Sequence, residues 1–395
     1  MSKSFVHLHA HTEYSMLDGA AKINDYLKKV KELNQPAAAI TDHGNLYGAM
    51  EFVQKANDLG IKPIIGYEAY ITPGSRFDRP DRENNKRYHL TLLAENNIGY
   101  QNLVELVSKA YTEGYYYKPR IDYELLDQHH DGLIALSGCL GGELAQHLAP
   151  DGSVEEGNTS NERSFEKALD IAKKYQSIFG KANYFIEIHN HGIKQQLDIL
   201  DDLVEIAELI DAPLVAANDS HYVEENGAEA HDALLCVQTN RTLDDESRFR
   251  FDGSGYYVKS AEEMRKLFPE DKYPGACDNT LAIADRVNYE FNFDNSYLPD
   301  FPIEDKNVSP EELLKIKVYE GGERKCGTLT SEIIERIDYE LDVINSMGFA
   351  SYFLIVGDLI EFSKKRNIRT GAGRGSAAGS IVSYCLGITG IEPLE

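Results

Sequence analysis

The sequence predicts an α/β protein. Its first 275 or so residues read as a parallel β/α barrel of about seven strands, and a second region of different character follows. Two observations carry this expectation. Short apolar runs alternate with amphipathic segments of helical period. Side chains that bind metals recur at the ends of the apolar runs, where a β/α barrel carries its chemistry.

The apolar runs at 5–8, 37–41, 63–67, 88–93, 132–136, 184–188 and 213–217 read as buried strands. Between them lie INDYLKKVKELN, YQNLVELVSKAY, FEKALDIAKKYQSIF and LDILDDLVEIAELI, with apolar residues at helical spacing. The stretch TPGSRFDRPDRENNKR at 72–87 is expected to be a loop of low order. From about residue 275 the chain turns polar, acidic and proline-punctuated in NYEFNFDNSYLPDFPIEDKNVSPEE, a connector between domains. Then Ile333, Ile334, Ile337, Leu341 and Ile344 recur at helical spacing, and a second helix is expected near 351–366.

The candidate metal ligands number nine: His9, His11, Asp18, His43, Glu68, His89, Cys139, Asp219 and His221. Imidazole, carboxylate and thiol together suit borderline divalent ions. That many donors exceed one tetrahedral ion. They fit two or three ions sharing carboxylates, the arrangement that hydrolyses phosphoesters. His7, His9 and His11 alternate, so a strand would place all three on one face without deciding which two bind. His89 begins its run rather than ending it. A hairpin over YITP…KRYH is expected to bring it beside Glu68. His189 and His191 are expected to be structural or to line the substrate, and Tyr115, Tyr116 and Tyr117 to pack as a barrel rim.

The five cysteines are scattered, without a C-x-x-C pair, which argues for a reducing compartment. No signal-like opening and no run of membrane-spanning length is evident, so a cytoplasmic protein without membrane contact is expected. The net charge of −25 speaks against a nucleic-acid partner taken alone. Lys364, Lys365, Arg366, Arg369 and Arg374 break that trend just before a glycine-rich run.

The segments HLHAHTEYSMLDG, ITDHGNLYGAMEF, GIKPIIGYEAY, LSGCLGGE and NDSHY resemble the polymerase and histidinol phosphatase (PHP) domain of bacterial DNA polymerase III alpha subunits. The likeness continues through INSMGFASYFLIVGDLIEFSKKRNI and GAGRGSAAGSIVSYCLGITGIEPLE, which resemble the start of that family's palm domain. It implies a distorted seven-stranded barrel of PHP fold over 1–275. It implies the N-terminal part of a polymerase beta-like palm over 276–395. It also assigns the H-x-H pair to His9 and His11, with His7 a neighbour, and it finds all nine ligand positions intact. Asp219, His221 and His11 are the implied catalytic group, with Zn²⁺ or Mn²⁺ favoured over Mg²⁺ for the ions. The implied activity is a metal-dependent 3′→5′ proofreading exonuclease. The other readings are a purely structural metal scaffold and a small-molecule phosphatase.

Alone, the run GAGRGSAAGS is not a Walker loop, since no G-K-[ST] follows. Its glycines let backbone N–H groups approach an anion, and a helix beginning near Ser376 would add its dipole. With the resemblance, Gly373, Arg374, Gly375 and Ser376 become the expected cradle for a nucleotide triphosphate. Most family members carry proline where this chain has Ala372. The full-length family implies Mg²⁺ at the polymerase site, primer-template DNA and deoxynucleotide triphosphates as substrates, and a sliding clamp and clamp loader as partners. The family's polymerising acids follow shortly after the position of Glu395, so no template-directed extension is expected from residues 1–395 alone.

Overall fold

The computed structural model describes residues 4–81, 84–149, 163–291 and 298–394. The chain divides into two compact units, Met1–Glu290 and Phe291–Glu395.

The first unit holds a seven-stranded sheet: β1 (Ala37–Ile40), β2 (Lys62–Ile71), β3 (Tyr88–Ala94), β4 (Arg120–Ile121), β5 (Leu133–Leu136), β6 (Tyr184–Ile188) and β7 (Leu214–Ala216). The order is β1-β2-β3-β5-β6-β7, with β4 paired to β2. All pairings are parallel except those β3 makes with β2 and β5. The sheet is therefore mixed, because β2 and β3 form the expected hairpin. Tyr70 pairs with His89 and Glu68 with Thr91.

The run 5–8 is not a regular strand. It is an extended segment that spans the gap between β1 and the chain beyond β7. Ala39 N donates to His7 O at 3.1 Å, while His11 N donates to Ser220 O at 2.8 Å. These bonds close the distorted barrel. Val6 N meanwhile donates to Thr280 Oγ1 at 3.2 Å, so the segment's bonds are shared among several neighbours and no continuous ladder forms. The loop 72–87 is better anchored than its composition suggests. Arg76 is buried and binds Asp122 at 3.1 Å and Glu113 at 2.7 Å.

The barrel interior is filled by Val6, Leu8, Ile64, Leu93, Ile134, Leu136, Phe185 and Val215. Ile283, Ala284 and Val287 of the helix Asp278–Arg286 complete it. That helix explains why the first unit runs to Glu290 rather than to 275. Three apolar side chains that the sequence placed in the second region are barrel core. Burial of an isoleucine or valine contributes about 1.5–3 kcal/mol, enough to bind the helix to the barrel.

The second unit is helical: Pro310–Cys326, Ser331–Ser346, Ala350–Lys365 and the short Ile381–Cys385. Its core joins Leu314, Val318, Ile337, Leu341, Ile344, Leu354, Ile381 and Val382. Of the expected stripe, Ile334 is exposed. Gly321 sits mid-helix because the crossing is tight there. A Cβ on it would lie 2.1 Å from Cys385 O. Part of the expected connector, 292–297, lies outside the described residues. No single described helix is long and apolar enough to cross a membrane.

Candidate metal centre

The nine expected ligands come from scattered segments, and the barrel gathers them. His9 and His11 lie on the closing segment, His43 follows β1, and Glu68 and His89 are diagonal neighbours across the hairpin. Cys139 follows β5, where Gly138 takes φ +91°. A Cβ at Gly138 would lie 2.7 Å from His89 O, so the turn requires glycine. Asp219 and His221 follow β7. Asp219 itself sits at φ 45°, a left-handed backbone that aspartate tolerates better than most residues.

Glu68 is the hub. Its Oε1 lies 3.0 Å from His89 Nδ1 and 3.3 Å from His9 Nε2, and its Oε2 lies 2.6 Å from His43 Nδ1 and 3.5 Å from His11 Nε2. Cys139 Sγ is 3.7 Å from Glu68 Oε1. Asp219 Oδ1 lies 3.1 Å from His11 Nε2 and 3.5 Å from His9 Nε2. Asp18 Oδ2 is 2.7 Å from His43 Nε2 and 3.5 Å from His221 Nε2. All nine expected ligands meet in this one cluster.

Hydrogen bonds made away from the cluster fix which ring nitrogen faces in. His9 donates through Nδ1 to Glu187 Oε1 at 2.7 Å. Ser15 Oγ gives its proton to Asp42 Oδ1 at 2.7 Å, so His11 Nδ1, 2.9 Å away, must donate to Ser15. His221 Nδ1 donates to Asp219 O at 2.8 Å. Each of these three rings therefore turns Nε2 inward. Those Nε2 atoms, with Glu68 Oε2 and Asp219 Oδ1, are buried and lack a hydrogen bond of their own. Outward-bonded histidines with inward nitrogens are the arrangement that metal sites use. The donor set fits borderline divalent ions.

The charges are strongly coupled. Burial alone would raise Glu68, Asp18 and Asp219. The surrounding imidazoles instead hold all three carboxyls well below their usual range. Burial would lower His43, yet Glu68 and Asp18 push it up to about 9. His11 is lowered to about 3 by burial and by its neighbours His43 and His221. Burial, with Glu68 and Asp219 adding, pushes the Cys139 thiol up to about 12.

The sequence missed Glu187, whose carboxylate also accepts from Gly138 N at 3.0 Å and from His189 Nε2 at 2.9 Å. A signal was present, since Glu187 and His189 alternate at the end of β6 and share one face. His7, the neighbour of the pair, makes its bonds elsewhere. Its Nε2 lies 2.8 Å from Lys259 O, and its ring packs on Phe5. The tyrosine run also differs from expectation, because Tyr115 and Tyr117 are exposed.

In the second unit, the glycine run lies open to water from Gly371 to Ser376. The expected helix at Ser376 is instead a 3₁₀ turn, Gly375–Gly379, and the α-helix starts at Ile381. Its first N–H groups are already taken. Ile381 N and Val382 N donate to Glu340 at 3.2 and 3.1 Å.

Residues 7–191 match the family model for the PHP domain, and residues 312–395 match the model for the bacterial DNA polymerase III alpha NTPase domain. The chain is 46% identical over 408 residues to the DNA polymerase III subunit alpha of Mycobacterium tuberculosis, covering 99% of this chain and 33% of that protein. It is 44% identical over 393 residues to that of Treponema pallidum, covering 99% and 32%. The chain belongs to the family of bacterial DNA polymerase III alpha subunits. It spans about a third of the length of the curated relatives it matches. A structure from Bifidobacterium adolescentis, described as a putative metal-dependent phosphoesterase, aligns with 67% of this chain and 95% of its own, at TM-score 0.33 and 11% identity.

Proposed function

We propose that the first unit is a metal-dependent phosphodiesterase that removes nucleotides from the 3′ end of DNA. It would act within a protein whose whole length synthesises DNA. The observation that carries this reading is the set of buried imidazole nitrogens and carboxylate oxygens turned inward without hydrogen bonds. His9, His11, Asp18, His43, Glu68, His89, Cys139, Asp219 and His221 would hold two or three ions of Zn²⁺ or Mn²⁺. Such ions would activate water and neutralise charge on a phosphate.

The chain's own residues do the rest. Glu187, Ser15 and the Asp219 carbonyl fix the rings of His9, His11 and His221. Asp219, placed between His9 and His11, with His11 and His221, forms the proposed catalytic group. The cleft over the cluster is about 830 Å³ and is also lined by Arg87, Lys118 and Arg250, cations suited to a phosphate backbone.

In the second unit, Gly373, Arg374, Gly375 and Ser376 would receive the triphosphate of an incoming deoxynucleotide. In the whole protein Mg²⁺ would serve polymerisation, with primer-template DNA as substrate and a sliding clamp and clamp loader as partners in the cytoplasm. The test is elemental analysis of gently purified chain, run beside release of nucleotides from a 3′-mismatched primer. Two or three ions per chain and release that chelator abolishes are expected. One ion or fewer, or release indifferent to chelator, overturns the reading.

A further inference from the structure

We infer that the tyrosines around the metal cleft form a stacking track for an unpaired polynucleotide end. The inference rests on the phosphodiesterase reading only for the cleavage step after binding. The cleft lining runs from the buried ligands His89, Asp219 and His221 to Tyr47, Tyr111, Tyr115 and Tyr117. These four rings are 59, 38, 54 and 64% exposed. Tyr47 and Tyr111 have ring centroids 6.5 Å apart. Tyr111 and Tyr115 are stacked at 6.1 Å. Aromatic surface left in water forgoes burial, and a cluster of it beside a cleft marks a binding surface.

The local backbone separates packing from display. Tyr116 is the ring that secures the loop. Its hydroxyl donates to Pro80 O at 2.7 Å, and the guanidinium groups of Arg79 and Arg120 lie 5.5 and 5.2 Å from its ring centroid. Tyr117 holds φ 63°, an unfavourable left-handed conformation for a bulky residue. Tyr116 N donates to Lys118 O at 3.1 Å and ties the turn that contains it. The strained turn leaves Tyr115 and Tyr117 in water on either side of an anchored neighbour.

The track is continuous with the cluster. Lys118 Nζ lies 3.2 Å from the Tyr70 hydroxyl, and the Tyr70 ring stacks on the ligand His43 at 5.9 Å. The chain's net charge is −25, whereas the cleft lining balances three carboxylates, Asp18, Asp219 and Asp252, with three cations. Outside the ligand set, Arg87, Lys118 and Arg250 face a single carboxylate, Asp252, among the lining residues. Aromatic faces interleaved with cations suit single-stranded nucleic acid, with bases on the rings and phosphates on the cations. A duplex keeps its base faces covered, so an unpaired end is the fitting occupant. A small phosphate monoester would have no use for four rings outside the ligand set.

The test compares a fluorescein-labelled oligothymidylate of about twelve nucleotides with an abasic strand of equal length, by anisotropy on the intact chain. The native chain is expected to bind the base-bearing strand about tenfold more tightly, a reasonable share for stacked bases. Tyr115→Ala and Tyr117→Ala, both at exposed positions, should each erase most of that preference, whereas Tyr115→Trp should keep it. Equal affinity for the two strands, or a preference that survives both alanine variants, overturns the track. Nucleotide release from the same oligonucleotide is measured in parallel. Base preference without release supports the track and sinks the exonuclease reading. Release without base preference sinks the track alone.

Discussion

In the first unit, donors as distant in sequence as His9 and Asp219 meet in a buried cluster, and hydrogen bonds made outside the cluster hold their rings. In the second, the glycine run 371–376 lies in water, and the helix start that could have faced a phosphate is occupied by Glu340. Both regions carry residue types suited to ligands. Only the first is held ready by bonds pointing away from the ligand. The difference locates preorganisation in the supporting shell, where Glu187 and Ser15 serve the barrel.

The strongest way to break the comparison is to remove a donor. Asp219→Asn should lose an ion and lower nucleotide release by about a thousandfold or more, since both water activation and charge stabilisation go with it. Chelation of the native chain should match it. The melting temperature should fall too, because an ion present at a hundred times its dissociation constant adds about 2.7 kcal/mol. Elemental analysis, melting curves and nucleotide release on one preparation check this. Unchanged hydrolysis in the variant would expose a contaminating nuclease.

A gentler change tests the supporting shell. Glu187→Gln keeps the volume but can no longer accept as a charged partner from His9, His189 and Gly138 N together. Metal affinity, measured by competition with a chelating dye, should fall about 10- to 100-fold. An unchanged affinity would show that His9 needs no such support.

Acidity probes the same cluster without mutation. In the metal-free chain His43 is raised to about 9, and His9 and His221 are also raised, each against an ordinary value of 6.5. Between about pH 7.5 and 8, where the histidines that burial lowers (His7, His11, His191 and His231) are neutral in both states, the folded state thus keeps protons that the unfolded state sheds. Stability should fall as pH rises, by about 1.4 kcal/mol per pH unit for each proton kept. Above that window Lys259, lowered to about 8 by burial, acts in the opposite sense. Metal binding needs neutral imidazoles, so metal affinity should rise over the same window. Melting curves with and without Zn²⁺ that share one pH slope would contradict this.

The barrel was legible because strands and ligands carry local signals. The runs that became β1 to β3 and β5 to β7 were apolar; His43, Cys139, Asp219 and His221 sat just past one, Glu68 and His89 on the hairpin, and His9 and His11 just past the run 5–8, with Asp18 alone set apart. What the sequence hid was relational. β4, Arg120–Ile121, is too short to announce itself, and the run 5–8 looked like a strand but bonds to several partners in turn. Glu187 read as one more carboxylate until its distance to His9 was known. The boundary was misplaced because Ile283 and Val287 show helical spacing whichever core they join. Tyr115, Tyr116 and Tyr117 look alike in sequence, and a single positive φ decides which face water.

The smallest effect sharpens the contrast within the second unit. Glu340, with a side chain only 12% exposed, accepts from Ser380 Oγ at 2.8 Å and from the first two N–H groups of the helix Ile381–Cys385. Ile381, Val382 and Cys385 of that helix are core. Removing a cap of this kind costs about 1–2 kcal/mol, since buried N–H groups lose an acceptor. Glu340→Ala should therefore lower the unfolding free energy of the second unit by that amount. Arg374→Ala, at an exposed position in the glycine run, should change it by no more than about 0.5 kcal/mol. Chemical denaturation of both variants checks the pair. Equal losses would mean that the glycine run is held as firmly as the helix start and that the exposed loop carries structural weight of its own.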